Sequence, residues 1–172
     1  MARQLWQNPP SERQTEKEMI PEKVRDVLEE HALEALEFEP GSTPTSSMAA
    51  EQIGVEVGQI AKSILMRGKD GTYRMFILAG DRKISSGKVK RFTGCKHSMA
   101  GAEETREVTG FSPGSVCPFG VEHIEIFVDR SLSGYPVIYP AAGTNASGVP
   151  VRFKHLLSIC GGRECDVAAE SE

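Results

Sequence analysis

The sequence predicts a single α+β domain with a mixed sheet and flanking helices, and three observations carry that expectation. The chain has 172 residues, 39% hydrophobic and 26% charged, which suits one domain with a core of its own. Residues 59–66 and 73–79 are strand-like runs joined by Arg67-Gly68-Lys69-Asp70-Gly71, the pattern of a β-hairpin. Helical and strand-like segments interleave without regular βαβ spacing, and no internal repeat or low-complexity linker divides them.

Each element has its own signal. Residues 1–15 are polar and contain Pro9-Pro10, which predicts a loosely ordered N-terminal arm, taken here as 1–20. Val24, Val27, Leu28, His31, Ala32 and Ala35 recur at helical spacing over 21–36, and Pro21 suits the first turn. Leu36-Glu37-Phe38-Glu39 alternates as a short strand and ends at Pro40-Gly41. Thr45 or Ser46 can cap a helix over 47–53 that Gly54 closes. Beyond the hairpin, Ser85 or Ser86 can cap a basic helix reaching Arg91 or Phe92, and 102–108 forms another helix closed by Thr109-Gly110. Residues 110–120 are a loop. Strands follow at 124–128 and 137–139, with a further one at 149–153. A last short helix runs through Ile159, with Gly161-Gly162 beyond it. The domain therefore spans 21–162, and 163–172 reads as a frayed tail.

Composition removes several classes of function. No stretch approaches the roughly 20 apolar residues of a membrane span, and Met1-Ala2-Arg3-Gln4-Leu5-Trp6 lacks the apolar core of a secretory signal. A cytoplasmic protein with no membrane partner is expected. Cys95, Cys117, Cys160 and Cys165 show no Cys-x-x-Cys spacing, and His31, His97, His123 and His155 are scattered singly. Neither a metal nor another cofactor is expected, and the thiols are read as reduced. Cys117, inside a glycine-proline loop, leaves nucleophilic thiol chemistry as a secondary reading.

The net charge of −4 hides an asymmetry. Residues 1–60 carry −7, residues 61–100 carry +8 and residues 101–172 carry −5. A basic island in an acidic chain reads either as a polyanion-binding face or as a solvated helix face paired with its acidic flanks.

Lys62 is the most conspicuous single residue. Strand alternation puts it on the face of Ile60, Ile64 and Met66, with Ala61, Ser63 and Leu65 behind. An ammonium among aliphatic side chains needs an anion or a hydrogen-bond network, or it must reach solvent along its own stem. Lys62 is thus either a snorkelling edge residue or a site residue. Two loops raise similar alternatives. The run 109–120 is dense in glycine and proline and serves either as a connector or as a rigid cradle of N–H groups for a carbonyl or anion. The run Ala141-Ala142-Gly143-Thr144-Asn145-Ala146-Ser147-Gly148 forms either a flexible turn or a pocket wall with hydrogen-bonding groups.

In order and spacing these pieces resemble the YbaK / prolyl-tRNA-synthetase-associated editing domain family, over about residues 43–159. The likeness is carried by Ile60-Ala61-Lys62-Ser63-Ile64, Ala79-Gly80-Asp81-Arg82-Lys83, Glu103-Glu104 ahead of Val108-Thr109-Gly110, and Gly114-Ser115-Val116-Cys117-Pro118 followed by Phe119-Gly120. Asp129 and Ala141-Ala142-Gly143-Thr144 complete it. The resemblance implies an editing-domain-like α+β fold and deacylation of mischarged tRNA. It implies that Lys62, Gly114 and Pro118 form the catalytic set, with Thr45, Ser46, Phe119, Gly120, Gly143, Thr144 and Asn145 against the substrate. Many relatives carry histidine or arginine in the turn where this chain has Thr144-Asn145, a departure that bears on amino-acid specificity. Lys62 would grip the terminal adenosine's phosphate or the ester region. With no obvious histidine or carboxylate base, the tRNA's own 2′- or 3′-hydroxyl would assist.

The basic island then acquires a use: Arg82, Lys83, Lys88, Lys90 and Arg91 would contact the backbone of the tRNA acceptor stem. The expected function is a trans-acting deacylase of mischarged tRNA, with alanyl- or cysteinyl-tRNA(Pro) as family-based substrates and a synthetase as an additional partner. The alternatives are a non-catalytic tRNA- or synthetase-binding module of the same fold, and a small-molecule hydrolase or binder reusing the pocket.

Overall fold

The computed structural model describes residues 19–170. In chain order the elements are α1 (Glu22–Glu30), β1 (Leu36–Glu37), α2 (Ser46–Ile53), a 3-10 turn (Val57–Gln59), β2 (Ala61–Gly68), β3 (Tyr73–Ala79), α3 (Ser86–Thr93), β4 (His97–Met99), α4 (Ala102–Thr109), β5 (Glu125–Asp129), a second 3-10 turn (Arg130–Leu132), β6 (Ser147–Gly148), α5 (Phe153–Cys160) and β7 (Arg163–Cys165). The main sheet is mixed, in the order β4-β2-β3-β5-β7. β2 pairs antiparallel with β3 and β4, whereas β3–β5 and β5–β7 are parallel. The α+β mixed-sheet class read from the sequence holds.

Both faces of the sheet are covered, and the alternation of β3 and β5 shows it. Met75, Ile77, Ala79, Ile126 and Val128 face a core built with Val24 and Leu28 of α1 and Phe153 and Leu156 of α5. Phe76 and Phe127 face the other way, stacked at 5.4 Å, and pack with Met66, with Val89 of α3 and with Val167. A third cluster of Ala49, Ala50 and Ile60, with Ile53 and Tyr139 against it, ties α2 to the start of β2.

Local chemistry explains most boundaries. Thr45 caps α2, its hydroxyl accepting from Met48 N at 3.2 Å, and Gly54 closes that helix at φ 84°. Ser85 caps α3, and Gly94 and Gly110 end α3 and α4 in the left-handed region. The predicted helix over 21–36 is shorter, because Ala32 takes φ 54° and Leu33 N–H turns back to Leu28 O at 2.8 Å. Leu33 and Ala35 still pack on the core from an irregular segment, which is why the periodicity ran past the helix. The strand expected at 149–153 is only a single bridge, Ile138 to Val151, before α5 begins.

The ends of the chain differ most from the sequence reading. Residues 1–18 of the expected arm lie outside the described residues, while Ile20 is buried in the main core. The frayed tail is corrected: β7 adds parallel to β5, with Phe127 opposite Arg163 and Asp129 opposite Cys165. The buried Asp129 carboxylate accepts from Val167 N at 2.6 Å and Ala168 N at 3.2 Å. Main-chain bonds from Ser85 N to Val167 O and from Ala169 N to Lys83 O, both 2.7 Å, lock the tail onto the turn after β3. A three-residue Arg-Glu-Cys strand at a sheet edge has no apolar alternation to announce it.

Candidate functional site

A pocket of about 100 Å³ opens where the N-terminus of α2, the start of β2 and the 112–116 loop converge. Thr43, Pro44, Thr45 and Ser46 form one wall, and Ile60, Ala61, Lys62 and Ser63 lie along β2. Gly114 and Val116 form another wall, and Tyr139, Ala141 and Ser147 complete the lining with Ala49 and Ile53.

Lys62 is half-buried, on the same side of β2 as the part-buried Ile64 and the buried Met66. Its ammonium donates to the main-chain carbonyl of Arg82. Burial holds its pKa below the ordinary lysine value of 10.5; Asp81 opposes that shift and Lys83 adds to it. Lys62 is thus neither engulfed nor free: the Arg82 carbonyl fixes its head, the Asp81 carboxylate acts on it, and the residue lines the pocket. Gly80, between β3 and Asp81, is required there, since a Cβ would lie 2.6 Å from Val57 O and 2.7 Å from Ser46 Cβ. That close approach brings the start of α2 onto the turn that holds Lys62.

Ser112-Pro113-Gly114-Ser115 is a tight turn closed by Ser115 N to Ser112 O at 2.9 Å. Gly114, at φ 85° after Pro113, has the sign a type II turn demands at its third position. A side chain there would meet Pro44 O at 3.2 Å, so the loop's approach to the 43–46 wall also depends on glycine.

Lys62, Gly114, Thr45 and Ser46 are thus brought together, but other expected site residues are not. Pro118 is buried behind the loop and is not among the pocket-lining residues. Phe119 is wholly buried in the main core, and a Cβ on Gly120 would lie 3.0 Å from Lys23 O, so both stabilise the fold rather than line the pocket. Gly143 packs against Phe111 and Pro21. Thr144 is buried behind the wall, its hydroxyl donating to Ser147 Oγ at 2.9 Å. Asn145 accepts from Gly41 N through its side chain at 3.2 Å and from Thr43 N through its carbonyl at 2.7 Å. Asn145 thereby fixes Gly41 and Thr43 from behind, while the Thr144 hydroxyl serves its own turn through Ala146 N and Ser147 Oγ.

The basic island is divided. Lys88 pairs with Asp166 and Glu170, each at 3.1 Å, and the Arg82 guanidinium donates to Ala169 O at 2.7 Å. Both residues are engaged by the tail, which corrects their expected place on a free nucleic-acid-binding face. Lys83, Lys90 and Arg91 are exposed. Lys90 and Arg91 also sit in the last turn of α3, where a cation complements the helix dipole.

Sequence reasoning missed Ser63, Thr43 and Tyr139 as lining residues, and Asp81 as the carboxylate that acts on Lys62, whereas Ala141 and Ser147 line the pocket from the run that the sequence offered as a pocket wall. Only Asp81 had a signal, as the one acid in Gly80-Asp81-Arg82-Lys83. Cys117 is wholly buried and its thiol is pushed up to about 12 by burial, which removes it as a nucleophile. No histidine lines the pocket, and among the described residues no group of three His, Cys, Asp or Glu side chains is placed to hold a metal. Among those residues, too, no helix is long and apolar enough to cross a membrane.

Residues 39–159 match the aminoacyl-tRNA editing domain family, and the chain belongs to that family. It is 39% identical to the uncharacterized protein YwhH of Bacillus subtilis over 121 residues, 70% of this chain and 76% of that one. It is 34% identical to the proline–tRNA ligase of Heliobacterium modesticaldum over 112 residues, 64% of this chain but only 18% of the ligase. Among solved structures, a candidate trans-editing enzyme for prolyl tRNA synthetase superposes with a TM-score of 0.79 at 33% identity, covering 88% of this chain and all of that one.

Proposed function

We propose that the protein is a trans-acting aminoacyl-tRNA deacylase that hydrolyses the ester of mischarged tRNA, with small aminoacyl groups on tRNA(Pro), alanyl or cysteinyl, as its substrates. The observation that carries this reading is Lys62, its ammonium fixed by the Arg82 carbonyl and the residue itself lining a pocket of about 100 Å³. The likeness along a whole chain described as a trans-editing enzyme supports action in trans.

Lys62 draws the terminal phosphate or ester of the tRNA end to the pocket mouth by a charge-assisted hydrogen bond. The Gly114 turn holds the carbonyl or the attacking water against the 43–46 wall, and Pro118 braces the loop from the core side. Water adds to the ester carbon, the carbon–oxygen bond to the ribose breaks, and the ribose oxygen takes one water proton. The other proton is released as the freed amino acid ionises. No histidine is at hand to move these protons, which leaves the neighbouring ribose hydroxyl as the assisting group. Lys83, Lys90 and Arg91 supply the electrostatic grip on the acceptor stem, and the protein works in the cytoplasm alongside the synthetase that makes the error.

The test is to incubate the protein with a panel of mischarged tRNAs and follow release of the amino acid. Turnover of a small aminoacyl group supports the proposal. Binding without turnover would leave a tRNA-binding module, and neither would leave a small-molecule site.

A further inference from the structure

Among the described residues, the β2 edge beside the pocket has a rung at Ser63 that no other strand takes up. Gly80 N–H donates to Ile60 O at 2.8 Å and Gly68 N–H to Thr72 O at 2.9 Å, so the even-numbered residues of β2 exchange their bonds with β3. The odd-numbered residues turn their main-chain groups to the opposite edge. There Ala61 N–H donates to Tyr139 O at 3.1 Å, and Leu65 O accepts from Ala100 N at 3.0 Å. Ser63 lies between these two bonds. Tyr139 and Ala100 are the last residues of their segments to reach β2, since the β4 pairing spans only Met66 to Gly68 and α4 begins at Ala102.

Ser63 also lines the pocket. Its hydroxyl is fully buried and without a hydrogen-bond partner, although the residue as a whole is part-exposed. The accessible part of Ser63 is therefore its main chain and Cβ. A main-chain donor and acceptor left unpaired beside a pocket mark a place for a ligand with the complementary pair.

We infer that the Ser63 main chain binds the aminoacyl group of the substrate as a one-residue antiparallel strand. The α-ammonium donates to Ser63 O, and Ser63 N–H donates to the ester carbonyl oxygen. This rests on the deacylase reading and adds to it the contact that holds the α-amino ester, the Ser63 main chain. An aminoacyl ester carries one donor and one acceptor in the relation of a strand residue, the pair that opposing residues in an antiparallel rung exchange. The contact is independent of the side chain, so it recognises the class while Ala49, Ile53 and Ile60 limit the size. As water adds, the carbonyl oxygen becomes an oxyanion and the Ser63 N–H bond strengthens with the developing charge.

The experiment compares alanyl-tRNA with lactyl-tRNA, which replaces the ammonium by a hydroxyl, each rate normalised to its own spontaneous hydrolysis. Wild-type protein is tested beside Ser63→Pro, which removes the N–H on an edge where no ladder bond is lost. The expected result is a rate acceleration at least about 10-fold smaller for lactyl-tRNA, and a loss of about 100-fold in a folded Ser63→Pro. Should Ser63→Pro not fold by circular dichroism, the lactyl comparison alone decides. Equal acceleration of both esters, or full activity in folded Ser63→Pro, overturns the Ser63 pairing and leaves the deacylase reading standing. An inactive wild type overturns the deacylase reading, and the pairing with it.

Discussion

The Lys62 ammonium and the Arg82 carbonyl are joined by one hydrogen bond that crosses 20 residues of sequence and closes the open end of the β2–β3 hairpin. Arg82 is itself held from the other side, its guanidinium on Ala169 O. The position of the lysine head is thereby linked through one residue to the C-terminal tail.

Asp81 should set the alkaline limit of activity. It is the favourable charge opposing the burial that lowers the Lys62 pKa. Asp81→Asn removes that support, so Lys62 loses its proton at a lower pH. The alkaline limb of kcat/KM, measured for both proteins, should move to lower pH in the variant. An unmoved limb would detach Asp81 from Lys62.

Stability should show the opposite slope over the same range. The folded-state pKa of Lys62 lies below its unfolded value, so between the two the unfolded chain binds more protons and stability rises with pH. Lys62→Met abolishes this contribution. Urea midpoints taken from pH 7 upward should converge, with the wild type gaining on Lys62→Met as pH rises.

Asp129→Ala should release the tail. It strips the acceptor from Val167 N, Ala168 N and Ser131 N in a buried site. Lost bonds to a charged acceptor, with donors left unpaired, cost about 3 kcal/mol. In a domain of this size that lowers the Tm by about 6–12 °C. Hydrogen exchange should quicken at Val167 and Ala168 ahead of the sheet centre.

Charge reversal separates the two halves of the basic island. Lys90→Glu with Arg91→Glu should weaken tRNA binding and flatten its dependence on salt. Lys88→Glu meets Asp166 and Glu170 instead, so its main effect should be on stability. Filter-binding isotherms at several salt concentrations distinguish the two.

The hairpin, the caps at Thr45 and Ser85 and the closing glycines were legible because each rests on local chemistry that a few adjacent residues state. The Lys62 anomaly was legible for the same reason: period-two alternation exposes a charge on an apolar face. What could not be read depended on contacts distant in sequence. Phe119 and Gly120 follow the Gly114 turn closely, yet the chain turns them into the core. Arg82 and Lys88 look like free cations until the tail folds back across α3. β7 exists only because the edge of β5 is there to receive it. Ser63 was placed on the face behind Lys62, but its unpaired rung follows from where Tyr139 and Ala100 leave the sheet, which no local pattern records.

One measurement tests the proposed role of Lys62 most directly: single-turnover deacylation of a small aminoacyl-tRNA(Pro) by the wild type and by Lys62→Ala, with both proteins shown folded by their melting curves. The expected result is rapid release by the wild type and a loss of about 100-fold or more in Lys62→Ala, with the melting temperature preserved. Full activity in a folded Lys62→Ala would contradict it.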